Sequence, residues 1–160
     1  MRLLALAAVS CWAAAVAASE QGSPTLLSEG NWALNRVDDR AANGSDCVAV
    51  PKAPSRIQVG LERLTVTGLP KNSIFNYQYR IDDGPASTPV IPSADMQNEG
   101  NLYFKGDVFD EILRGHRFRI RILDRWHEAI TEDVDLAGLG HLHARMLDAC
   151  KSGRPAPDVK

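Results

Sequence analysis

Residues His116-Arg117-Phe118-Arg119-Ile120-Arg121-Ile122-Leu123 alternate between cationic and apolar side chains. A two-residue period of this kind belongs to a strand with one buried and one wet face. Ile130-Thr131-Glu132-Asp133-Val134-Asp135-Leu136 repeats the period. An antiparallel hairpin turning about Trp126 sets Arg117 opposite Asp135, Arg119 opposite Asp133, Phe118 opposite Val134 and Ile122 opposite Ile130. Charge then meets charge and apolar meets apolar, which fixes the register, because a one-residue slip would reverse every side chain. The misfit is Glu132, placed opposite Ile120 on the apolar side, which requires an exposed edge or a bulge there.

Outward from this hairpin, the pattern stays β. Ile74 to Asp82 puts Phe75, Tyr77, Tyr79 and Ile81 on one face and Asn76, Gln78 and Arg80 on the other, with Asp83-Gly84-Pro85 as its end. In Arg56 to Thr67 the apolar parity changes beside Gly60, which predicts a bulge or a break into two strands. Trp32–Val37, Cys47–Val50 and Leu102–Phe104 read as further strands, and Val90-Ile91 as an edge-like piece between Pro89 and Pro92. Turns are expected around Asn43-Gly44 and over Asn98–Gly100. Asp107 is expected to cap a short helix carrying Val108, Phe109, Ile112 and Leu113 and stopped by Gly115. A C-terminal helix over about Ala137–Lys151 presents Leu139, Leu142, Met146 and Cys150 at three- and four-residue spacing. The expected fold is therefore mainly β, an antiparallel β-sandwich or β-roll with one short helix and one C-terminal helix.

The ends have a different composition. Of the first 18 residues 16 are apolar, following the single charge of Arg2 and ending in small residues, the pattern of a secretory signal peptide. Residues 19–29 read as a flexible leader, 30–151 as one β-rich domain and 152–160 as a disordered tail. Without the signal, 142 residues remain with 17 basic and 20 acidic side chains. That balance gives no general attraction to nucleic acid, and no apolar run long enough to span a membrane remains. Cys11 leaves with the signal. Cys47 and Cys150 then form an even pair, expected as a disulfide in a periplasmic or secreted chain.

Function is less legible. Arg117, Arg119 and Arg121 share one face, with Arg125, Trp126 and His127 following, and such a row of guanidiniums can hold a polyanion such as an acidic glycan. Its competitor is structural, a cross-strand ladder with Asp133 and Asp135. His127 and Glu128 can serve as a general base pair in a small periplasmic hydrolase, and the Asp124–Glu128 loop can present itself as an inhibitor of a foreign enzyme. His141 and His143, two apart on a helix, point in opposing directions and cannot chelate one ion together. No phosphate loop, metalloprotease helix motif or nucleophile elbow is present in the sequence, and no cofactor or metal is expected. The preferred reading is an exported, non-enzymatic binding or envelope accessory protein contacting a protein or an anionic glycan.

The early tryptophan strand at Trp32, the Cys47-Val48-Ala49 strand and the series Asp110–Gly115, Phe118–Leu123 and Asp135-Leu136-Ala137-Gly138-Leu139 carry a family resemblance. In these the chain resembles the small exported proteins of the invasion-associated locus B type, mainly over its last third. The resemblance implies an exported, β-rich single domain and an association with bacterial entry into host cells. It implies no catalytic residues. The chain departs from the family in having one cysteine near the early strand rather than a close pair, and a terminal Cys150.

Overall fold

A computed structural model describes residues 25–39 and 44–152, with side chains over 25–36 and 47–150. The expected signal peptide, the start of the leader, the turn around Asn43 and the tail beyond residue 152 lie outside the described residues. In chain order the elements are β1 Thr25–Glu29, β2 Trp32–Asp39, β3 Gly44–Pro51, β4 Ile57–Val59, β5 Leu64–Val66 and β6 Ile74–Ile81. They continue with α1 Ala94–Glu99, β7 Leu102–Phe104, α2 Asp107–Arg114, β8 Arg117–Asp124, β9 Ala129–Asp135 and α3 Leu139–Ser152. One sheet has the order β1-β2-β3-β4-β5-β7 and the other β6-β8-β9, and every pairing is antiparallel.

The β8–β9 hairpin adopts the register read from its charges, with Arg117 opposite Asp135, Arg119 opposite Asp133 and Ile122 opposite Ile130. Its inner residues Phe118, Ile120, Ile122 and Val134 enter the core. From the larger sheet, Ile57, Val59, Leu64, Val66, Leu102 and Phe104 meet them. Phe104 of β7 forms the joint. Its ring stands edge-on to Tyr77, Tyr79 and Phe118 of the smaller sheet at centroid distances of 5.7, 5.3 and 5.3 Å, an arrangement favoured by the ring quadrupoles. The smaller sheet thus covers the β4-β5-β7 half of the larger one. Helix α3 packs on β1, β2 and β3, burying Leu139, Leu142 and Met146. The result is a mainly antiparallel β fold of two packed sheets with a C-terminal helix.

The first and last elements are joined closely. Cys47 of β3 is bonded to Cys150 of α3 across 103 residues. Trp32, fully buried, donates its indole N–H to the Asp135 carbonyl at 2.9 Å. Gly30 and Gly138 both have left-handed φ, and a Cβ at Gly30 would lie 2.3 Å from the Ala137 carbonyl oxygen. Only glycine allows the β1–β2 turn to approach the start of α3 so closely.

Several expectations need correction. Thr25–Glu29, read as the end of the leader, is edge strand β1, because Leu26 and Leu27 pack against the core. Phe75 does not share the inner face with Tyr77 and Ile81. A register shift between Ile74 and Asn76 turns Ile74 inward and leaves Phe75 52% exposed. The Asn98–Gly100 turn is the end of α1, capped by Ser93 and closed by Gly100 in the left-handed conformation. Helix α1 buries no residue, so it left no apolar period to read. Asp107 is the first residue of α2 and not its cap, a place taken by Gly106. The break at Gly60 separates β4 from β5, as its parity indicated.

Glu132 is accommodated without a bulge in the β8–β9 register. Its carboxylate, 12% exposed, accepts from the Ser55 hydroxyl at 2.9 Å, the Arg56 amide at 3.3 Å and the Arg56 guanidinium at 3.4 Å. The charge on the apolar side is therefore a tether between the two sheets.

Candidate functional site

The arginine row divides into two halves. Arg117 donates through Nε and a terminal nitrogen to both Asp133 oxygens, each at 2.7 Å, a bidentate pair diagonal to the strand register. Arg119 lies 3.9 Å from Asp133 and 3.9 Å from Asp83. The Arg117 guanidinium holds the Asp133 carboxyl below its ordinary pKa. At this end of the strand the cations lie beside local acids, but the expected ladder is altered: Arg117 takes the diagonal Asp133 instead of Asp135 opposite, and Arg119 makes no hydrogen bond to either acid through Nε. The other end differs. Arg121 faces Gln78 and Thr131 across its two neighbouring strands, and among the described residues neither Arg121 nor Arg125 has a carboxylate within 4.0 Å.

That second end also gathers aromatic surface. The turn after β8 is built by Asp124, a buried carboxylate that accepts the Trp126 amide at 2.9 Å and the Glu128 amide at 2.8 Å. The Asp124 carbonyl takes the His127 amide, and His127 turns the chain at φ 65°. A further bond from the Arg125 amide to the Ser73 carbonyl, 2.8 Å, seats the turn against the start of β6. Trp126 is left 73% exposed at its crest. The His127 ring lies 5.7 Å from that of Phe75, which the bulge has turned outward. Val90, bonded in both directions to Tyr77, carries Ile91 along the β6 edge, and Ile91 is 79% exposed. Among the described residues, three of the four exposed large hydrophobic side chains, Phe75, Ile91 and Trp126, thus converge on one end of the small sheet.

The other sequence candidates separate in space. Neither His127 nor Glu128 has a side-chain hydrogen bond or ion pair to a third polar group among the described residues. The pair therefore lacks the oriented partner that base catalysis uses. His141 meets Glu29 of β1, whereas His143 meets the Leu61 carbonyl and the Phe109 ring, so the two imidazoles serve different elements. Sequence reading found Arg125, Trp126 and His127 but missed Phe75 and Ile91. Phe75 was hidden by an unbroken alternation through the bulge, and Ile91 by a strand fragment too short to carry a period.

No family model, no curated protein and no solved structure matches this chain.

Proposed function

We propose that this chain is an exported, non-enzymatic binding protein of the cell envelope that docks a partner protein through the Phe75–Ile91–Trp126 end of its small sheet. The observation that carries the reading is the convergence there of exposed aromatic and aliphatic surface with two arginines that have no carboxylate within 4.0 Å among the described residues. Tryptophan and arginine supply a large share of hot-spot energy in protein interfaces. The free guanidiniums call for an acidic surface on the partner. Export is supported by the apolar N-terminal run and by the Cys47–Cys150 bond. No helix among the described residues is long and apolar enough to cross a membrane. The resemblance to invasion-associated locus B proteins supports a setting at the envelope.

One observation favours a second reading, inhibition of a foreign enzyme. The Trp126 turn is pinned from beneath by the Asp124 carboxylate and by Ser73, so it presents its crest with little left to order.

A photo-cross-linking residue at position 126, expressed in the source cells, tests the proposal. The expected result is one discrete cross-linked species that is absent when the probe sits at Glu62 and lost in an Arg121→Glu, Arg125→Glu background. Products identical from both positions, or none, overturn it. A captured hydrolase that loses activity in the complex would select the inhibitor reading.

A further inference from the structure

The outer face of the larger sheet holds a second set of polar and charged groups, away from the Trp126 turn. Strands β4, β5 and β7 pair so that Gln58, Thr65 and Tyr103 form one row. One step beyond the Leu64–Phe104 pair, Arg63 and Lys105 stand side by side, and one step beyond Val66–Leu102 lies Asn101. Same-face residues repeat at about 6.6 Å along a strand, so the three rows span about 13 Å. These side chains border an open groove of about 570 Å³ whose far wall includes the Cys47–Cys150 bond.

The charges in the groove are placed but unpaired. The Arg63 guanidinium carbon lies 4.5 Å from the centre of the Tyr103 ring, and the Lys105 ammonium 5.6 Å from it. The ring is held by its hydroxyl, which donates to Glu99 and receives Asn101 Nδ2. An oriented ring therefore positions two cations by cation–π attraction. Among the described residues neither cation has a carboxylate within 4.0 Å. Glu62 is the acid in the groove lining.

We propose that this face binds an acidic oligosaccharide, with Arg63 and Lys105 taking its carboxylate or sulfate groups and Gln58, Thr65 and Asn101 its hydroxyls. Two features select a glycan over other polyanions. The amide and hydroxyl side chains alternate donors and acceptors, which suits sugar hydroxyls and is wasted on a row of phosphates. The groove lining carries two cations, Arg63 and Lys105, too few to track the row of phosphates on a single-stranded nucleic acid. An open groove on a rigid sheet also suits an extended chain better than a small ligand that must be enclosed. This site lies on the opposite sheet from the Trp126 turn and does not depend on the docking proposal.

The test is calorimetric titration of the full chain with a heparin hexasaccharide and an oligogalacturonate hexamer, one carrying sulfate and carboxylate, the other carboxylate alone. A neutral dextran hexamer and a single-stranded oligonucleotide serve as comparisons. Binding of at least one acidic sugar, weakened tenfold or more in Arg63→Ala/Lys105→Ala and unchanged in Trp126→Ala, is the expected result. Both cations are exposed, so the double variant keeps the fold; the single Lys105→Gln substitution gives a second measurement with a smaller loss. Absence of binding, an unaltered affinity in both variants, equal binding of dextran or tighter binding of the oligonucleotide would each overturn the proposal.

Discussion

At the residue scale, the polar atoms that matter most are carboxylates bonded to backbone amides. Asp82 sits at φ 52° and its Oδ1 accepts the His116 and Arg117 amides, each at 2.7 Å. These bonds, with the His116 amide the largest contributor, hold its pKa below the ordinary carboxylate value. Between that lowered value and the unfolded one near 3.9, the unfolded chain binds a proton that the folded chain does not. The stabilisation is therefore complete above about pH 4 and is lost as pH falls through the folded value. Asp82→Asn keeps an acceptor and tolerates the left-handed backbone, but does not titrate. Thermal melts from pH 7 to pH 2 are expected to show a shallower acid limb for the variant than for the parent chain. The Asp82 role was not legible in the sequence, since both partners lie more than thirty positions away. Phe75 was misread for another reason, because a bulge changes facing without changing the order of residue types.

At the element scale, the register of the β8–β9 hairpin was legible because its two periods and its charges constrain the same pairing. Edge strand β1 and helix α1 were not, since one is a short stretch in a polar segment and the other buries nothing. Glu132 lies between these cases. The sequence showed a charge where an apolar residue belonged, and only the fold supplied its partners, Ser55 and Arg56, which lead into β4 of the other sheet. Removing a mostly buried carboxylate that accepts three bonds leaves their donors short of partners. Glu132→Ala is expected to cost on the order of 1–3 kcal/mol in urea unfolding. Glu132→Gln, which retains an acceptor, should cost less.

For the whole molecule, the pairing of Cys47 with Cys150 followed from counting cysteines in a chain expected to be exported, while the placement of β7 beside β5 did not. That placement is a long-range pairing with α1 and β6 intervening, and no local pattern encodes it. The disulfide closes most of the described chain into one loop. Substituting both cysteines by serine is expected to lower stability by about 2–5 kcal/mol. It should also steepen the dependence on guanidinium, because an unlinked unfolded chain exposes more surface. Guanidinium titrations followed by tryptophan fluorescence measure both quantities together.

The meeting of β1 and β2 with α3 sets a rule on timing. Trp32 waits for the Asp135 carbonyl, Glu29 for His141, and the close passage at Gly30 for Gly138. During synthesis β1, β2 and β3 can pair with one another, but these contacts to the last third of the chain are still unmade, and contacts so distant in sequence form slowly. A chain of this design has no finished core until its last helix exists, so the bond between its cysteines can form only once almost the whole domain has been made.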